Sequence, residues 1–212
     1  MTTERHVVAT EQRQSANRVP DDDLLDAARS CVLAVGVRRT TLAEVARTAS
    51  VSRMTLYRRF PDVRSMLVAL MTREFGTLLG DAMDHAKHAS TNRERLVLAT
   101  VESVRRLVTD PIMRTVLDVD AEMMIPYVVR RVGSTQRNAE RFIRGLVDAG
   151  HADGSVREGD GATQARALLL LSQSYVFSLR IAVSTEEGIT ESGLLDELAH
   201  TLDSSLRPTE AG

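Results

Sequence analysis

Tryptophan is absent from this 212-residue chain, and aromatic residues of any kind are scarce. No Asn-Gly turn pair occurs, and β-branched residues never alternate for long with polar ones, so neither hairpins nor a half-buried sheet is expected. Ala, Leu, Val and Arg dominate instead, a composition that predicts an all-α protein of one or two domains. Cysteine occurs once, as Cys31. That excludes a disulfide framework and fits a reducing cytoplasm, with Cys31 read as a small core residue and a redox switch as the alternative. The first twenty residues lack the apolar core of roughly 7–15 residues that a signal peptide needs. Between Arg166 and Arg180 lie thirteen uncharged residues, short of the roughly 20 that span a bilayer, so no membrane partner is expected. A glycine-rich phosphate loop and a nucleophile–base arrangement are missing as well. Glu197-x-x-His200 has the spacing used by carboxylate-bridged iron bundles, but those need the motif twice. The chain is therefore read as no enzyme, with no catalytic residue, cofactor or metal assigned; a helical metal-binding protein is the remote alternative.

What the chain does have is concentrated charge. Between Gly36 and Arg64 stand seven arginines (38, 39, 47, 53, 58, 59 and 64) against Glu44 and Asp62, a balance of +5. The whole chain is at −2, so the remainder carries −7. Such asymmetry marks a phosphate-binding end. Within the window, Thr41 and Glu44 form the pattern of a capping box, in which each side chain satisfies a backbone N–H of the other. Leu42, Val45, Ala46 and Ala49 follow at helical spacing as one apolar face. Ala49-Ser50-Val51 reads as a turn, and Ser52 as the N-cap of a second helix that ends at Pro61. Leu56 and Phe60 share one face of that helix, and Arg53, Met54, Tyr57 and Arg58 crowd another. Two short helices, a tight turn and a basic second helix fit a helix-turn-helix, whose second helix enters the DNA major groove.

The run TTLAEVARTASVSRMTLYRRFPD, followed by RSMLVAL, resembles the DNA-binding domain of the TetR family of transcriptional regulators. The similarity extends over about Asp22 to Leu70. It implies a three-helix DNA-binding domain followed by a larger helical domain for ligand binding and dimerisation. Two positions depart from the family pattern. Ser50 stands where glycine is usual, and must either adopt a left-handed backbone or shift the turn. Val63 stands where a lysine usually meets phosphate, with Arg64 and Arg59 near enough to replace it. The DNA-contacting set read from this stretch is Thr41, Ser52, Arg53, Met54, Thr55, Tyr57, Arg58 and Arg64.

Around this stretch the pattern is helical. Residues 1–20 are polar and aperiodic, with Arg5, Arg13 and Arg18 along them, and read as a disordered terminus or a DNA-contacting arm. Asp21, Asp22 and Asp23 supply acids to the start of a first helix, and Gly36 is its expected C-cap. From Asp62 a long helix continues to about Ala86. Near its end Asp81 with His85, and Asp84 with His88, stand at i, i+4, a spacing open to metal chelation or to pairing with the negative helix end. A polar break at Ala89–Arg93 then precedes helices over Leu96–Val108, from Asp110-Pro111 to Leu117, and from Glu122 to Ala149 with a bend near Gly133.

Methionines and aromatics gather in this second half. Met113, Met123, Tyr127, Phe142 and Phe177 are read as lining a pocket for a small apolar ligand. Gln164–Val183 is apolar nearly all round, and its neighbour carries a clean leucine stripe. A helix apolar on every side must be covered on every side. Leu169, Tyr175, Leu195, Leu198 and Leu202 are accordingly the expected dimer interface, in the manner of a four-helix bundle. The expected organisation is an arm over 1–20, a helix-turn-helix domain over 21–65 and a ligand-binding and dimerisation domain over 66–207. The expected function is a homodimeric, cytoplasmic regulator, a repressor released from a pseudo-palindromic double-stranded operator by a ligand. A constitutive DNA-binding protein with no ligand is the alternative.

Overall fold

The computed structural model describes residues 19–119, 122 and 133–208. Among these it is all-α, as the composition demands: α1 Asp21–Val35, α2 Leu42–Thr48, α3 Arg53–Arg59, α4 Val63–His85, α5 Asn92–Thr109, α6 Pro111–Val119, α7 Ser134–Ala152, α8 Gly161–Ala182 and α9 Glu191–Leu206. The chain divides into two compact units, Met1–Leu70 and Met71–Gly212. Arg5, Arg13 and Arg18 of the expected arm, and Met123 and Tyr127 of the expected pocket, lie outside the described residues.

In the first unit α1 buries Leu24, Ala28 and Val32 completely, one residue per turn on one face. Its three leading aspartates stay exposed at the positive end of the helix dipole. Gly36 ends it at φ 83°, a left-handed conformation that costs glycine little, and donates its N–H to the Val32 carbonyl at 2.9 Å. Val45 of α2, Leu56 of α3, and Met66 and Leu70 of α4 complete a small core with no solvent exposure. Cys31 is buried with its Sγ 3.4 Å from Thr48 Oγ1, the surroundings of a packing residue.

In the second unit one apolar core runs through five helices. Leu96 and Val104 come from α5, Met113 from α6, Val147 from α7, Leu169 and Leu179 from α8, and Leu198 and Leu202 from α9. Side-chain caps punctuate the chain between them. Thr91 accepts from the Glu94 N–H at 3.1 Å, Asp110 from Met113 at 2.8 Å, Asp160 from Thr163 at 2.8 Å and Thr190 from Gly193 at 3.0 Å. Polar groups tie the start of α5 to the turn after α7. Asp153 accepts from the backbone N–H and the side-chain amide of Asn92 at 3.0 and 2.7 Å, and Ser155 accepts from the Arg93 N–H at 3.1 Å. The Ser155 hydroxyl first, and the Asn92 N–H next, hold the Asp153 carboxyl at a pKa of about 2, because both donate to the charged form.

The long helix keeps its expected limits within a residue at each end, and one other expected helix changes. α4 stops at His85, where Ala86 N–H bonds to both the Ala82 and Met83 carbonyls and Lys87 N–H turns back to Asp84. The backbone tightens into a turn, so Asp84 and His88 do not share a helical face. The described part of the helix expected over Glu122–Ala149 begins only at Ser134 and runs on to Ala152. Gly133 is not a bend within it but its N-cap, with an extended backbone (φ −77°, ψ 174°) and its N–H donated to the Gln136 side chain at 2.7 Å.

Candidate nucleic-acid interface

The turn between α2 and α3 decides how the second helix is presented. Ser50 takes φ 54°, the left-handed conformation that serine adopts only at some cost. It does so inside a complete Schellman motif: Val51 N–H reaches the Ala46 carbonyl at 2.9 Å and Ser50 N–H the Arg47 carbonyl at 3.1 Å. The two bonds satisfy carbonyls that α2 would otherwise leave bare, so the turn keeps its geometry without glycine. Ahead of it, the Thr41 hydroxyl accepts from the Glu44 N–H at 3.2 Å. The reciprocal half of the expected capping box is replaced, because the Glu44 carboxylate accepts from Arg47 at 3.1 Å.

α3 opens on Ser52, whose Oγ accepts from the Thr55 N–H at 3.1 Å and lies 2.8 Å from the Thr55 hydroxyl. Leu56 is fully buried and Phe60 nearly so, and together they fix the inner face of the helix. The outer face is open. Met54 is 76% exposed and Tyr57 50%, values unusual for side chains of their size, and Arg53 and Arg58 flank them in solvent. An open concavity beside Arg53 is lined by Thr41, Ala43, Glu44, Arg47 and Val51.

Five arginines from Arg47 to Arg64 fall into two groups. Arg47 is held by Glu44, and Arg59 is held by Asp21 at the start of α1. Arg53, Arg58 and Arg64 have no acidic partner among the described residues and remain exposed. Of the two arginines near Val63, Arg59 is thus engaged within the unit and Arg64 is the one left available. Asp62 starts α4 by accepting from the Ser65 N–H at 2.6 Å, while the Ser65 hydroxyl donates to the Asp62 carbonyl at 2.8 Å. The long-range Asp21–Arg59 pair carries no local signal, and sequence spacing could not have found it.

The remaining sequence-derived sites lie in the second unit. Met113 is buried in its core, and Phe142 and Phe177 pack half-buried against the same core. Leu169, Leu195, Leu198 and Leu202 are 5% exposed or less within a single chain. Atoms already withdrawn from water have nothing left to bury against a second copy, so these leucines support α8 and α9 from behind. Tyr175 is half-buried. The apolar groups that α8 and its end leave to solvent are Leu170 at 60%, Ile181 at 85% and Val183 at 41%. Among the described residues no three of His, Cys, Asp and Glu gather as metal ligands. Asp81 instead accepts from Arg106 at 3.1 Å, and Arg106 also reaches Glu102, buried on α5, at 2.7 Å.

Residues 24–70 match the model of the bacterial regulatory proteins of the tetR family. Over 183 residues the chain is 34% identical to an HTH-type transcriptional regulator of Mycobacterium tuberculosis, spanning 86% of this chain and 92% of that protein. A regulator of the same description from Mycobacterium bovis is 35% identical over 184 residues, with the same coverage. Among solved structures, a TetR-family regulator from Pectobacterium atrosepticum superposes with a TM-score of 0.65 at 18% identity, over 87% of this chain and 90% of that one. The regulator FadR from Bacillus subtilis, solved with stearoyl-CoA, gives 0.62 at 16% identity, over 89% and 100%. These structures share the fold, and the mycobacterial relatives extend the likeness well beyond the head. With the family model matched over the helix-turn-helix and the mycobacterial regulators matched over most of the chain, the chain belongs to the TetR family of helix-turn-helix transcriptional regulators.

Proposed function

We propose that the protein is a homodimeric repressor that binds a pseudo-palindromic operator and leaves it when a small apolar molecule enters the second unit. The observation that carries this reading is the outer face of α3, where Arg53 and Arg58, without acidic partners among the described residues, flank exposed Met54 and Tyr57. In the major groove, Arg53 and Tyr57 would meet base edges, while Thr41, Arg58 and Arg64 would meet phosphates. Ser52 and Thr55 would contribute chiefly by capping the helix. Two such helices about 34–36 Å apart meet successive grooves on one side of the duplex. The second copy would dock on the outward side of α8 and α9, through Leu170 and Ile181 with Tyr175, over a backing of Leu169, Leu195, Leu198 and Leu202.

The ligand would lie beside Met113, Phe142 and Phe177, with Met123 and Tyr127 as further candidates. Two solved neighbours are complexes with molecules that carry large apolar parts: FadR with stearoyl-CoA, whose acyl chain is apolar, and SmeT with triclosan, at a TM-score of 0.60. Release requires that the ligand bind the non-operator conformation more tightly than the operator-bound one. The site of action is the compartment that holds the DNA, the cytoplasm. Footprinting the full chain on DNA flanking its own gene tests the reading. The expected protection is two half-sites about 10–10.5 base pairs apart, centre to centre. Equal affinity for that DNA and for random duplex would end the operator reading. Protection unmoved by acyl chains or other apolar compounds would favour a constitutive DNA-binding protein.

A further inference from the structure

Within the exposed face of α3 one side chain has no evident use in the folded protein. Met54 is 76% exposed, although methionine is among the residue types usually found inside. It points away from the core that Leu56 fills, and Tyr57 and Arg58 lie three and four positions on, the spacing at which helical side chains are neighbours. Beside it, the hydroxyls most able to read bases are already occupied: Ser52 and Thr55 stand 2.8 Å apart, and Ser52 also takes the Thr55 N–H. Hydrogen-bonded discrimination by this face therefore falls to Arg53 and Tyr57, and apolar discrimination to Met54.

We infer that Met54 reads the C5-methyl group of a thymine, at the base step adjoining a guanine read by Arg53. This rests on the proposed operator binding and sharpens it. In the major groove thymine alone among the four bases presents a methyl group, and a guanidinium meets guanine O6 and N7 with two parallel hydrogen bonds. Arg53 and Met54 are both exposed in the first turn of α3, close enough for the two to reach neighbouring base pairs. Arg53 has no acidic partner among the described residues to draw its guanidinium away. The thioether is unbranched and polarisable, and fits against a methyl group without demanding one fixed geometry. The half-site is thus expected to hold a guanine–thymine neighbour pair on one strand, with the thymine discriminated by its methyl group and not by a hydrogen bond.

The test begins by selecting duplexes from a random pool with the full-length protein. Each thymine of the selected half-site is then replaced in turn by deoxyuridine, which removes the methyl group and nothing else. One position beside a guanine should weaken binding by roughly four-fold per half-site, as expected for burial of about one methyl group. Met54→Ala should bind the thymine and deoxyuridine duplexes alike, and 5-methylcytosine at the same position should recover part of the wild-type affinity. A selected half-site bound equally with thymine and deoxyuridine at every position would overturn the inference while leaving operator binding intact. Retention of the methyl preference by Met54→Ala would assign it to another residue and overturn it equally. Failure to select any duplex would instead remove the operator reading on which it rests.

Discussion

The two units of the chain are held together by different means. In the first, α2 and α3 have seven residues each, far below the roughly 12–15 at which an isolated helix becomes even marginal in water. Their ends are therefore secured one by one: Thr41 and Ser52 cap the starts, and the Schellman turn at Ser50 closes α2. In the second unit α5, α7 and α8 have 18, 19 and 22 residues and bury leucine and valine over most of their length. The contrast teaches where each unit can spare surface. A seven-residue helix with a capped start needs to commit only one face to the core, so α3 buries Leu56 and Phe60 and shows arginine, methionine and tyrosine to solvent. A unit stabilised by its core fills its inward faces with leucine.

Core truncation should be severe in both units, and it probes the contrast most strongly. Leu56→Ala and Leu198→Ala each remove a fully buried side chain, and each should cost about 2–5 kcal/mol in chemical denaturation. Leu56→Ala should also abolish specific DNA binding, since Leu56 sets the height of α3. Retention of both stability and operator affinity would show that the head does not depend on its small core.

The next effect separates free from paired arginines. Arg53→Ala should cost about 1–3 kcal/mol at one or two base positions, whereas Arg58→Ala should weaken all duplexes alike and flatten the slope of log K against log salt by about one. Arg59→Ala should leave that slope nearly unchanged, because Asp21 already holds the guanidinium. Electrophoretic titrations across a salt series decide between them. Equal slopes lost by Arg58→Ala and Arg59→Ala would break the division.

Caps come third. Ser52→Ala should destabilise the head by about 1 kcal/mol. Ser50→Gly should do the reverse, since relief of a left-handed non-glycine residue at about 1–2 kcal/mol outweighs the roughly 0.5–1 kcal/mol that glycine adds to the entropy of the unfolded chain. A loss of stability in Ser50→Gly would mean that the turn is set by something other than backbone conformation.

The smallest expected effect lies in the second unit. The Asp153 carboxyl has a folded pKa of about 2 against an ordinary 3.8, so it binds protons less readily folded than unfolded. Its contribution is present above the unfolded value and is lost as pH falls through about 2. Wild-type protein and Asp153→Asn should therefore differ slightly at neutral pH and converge between about pH 4 and 2. A difference that persists at pH 2 would assign the role of Asp153 to shape and not to charge.

Local chemistry was legible in the sequence, and chain-to-chain geometry was not. The caps at Thr41 and Ser52, the glycine end of α1 and the choice forced on Ser50 all follow from residues within a few positions of one another. The leucine stripe of α9 announces burial, but periodicity is blind to whether the covering surface belongs to the same chain or another. Leu195, Leu198 and Leu202 turn out to face their own core. Asn92 and Asp153, sixty-one positions apart, share no pattern at all, and neither do Asp21 and Arg59. The continuation of the Asp84–His88 face failed because it extended a helical period past the point where a turn intervenes.

The Asp21–Arg59 pair has a consequence for how such a protein finds its site. Attraction to arbitrary DNA grows with the number of counterions a surface displaces, and seven arginines between Gly36 and Arg64 promise a strong grip on any sequence. With Arg59 and Arg47 paired within the unit, the grip would be weaker than that number implies, while the proposed base reading through α3 would be untouched. A searching molecule would dwell more briefly at each wrong position and sample more positions in a given time. One aspartate at the start of the first helix would thus trade holding power for speed of search.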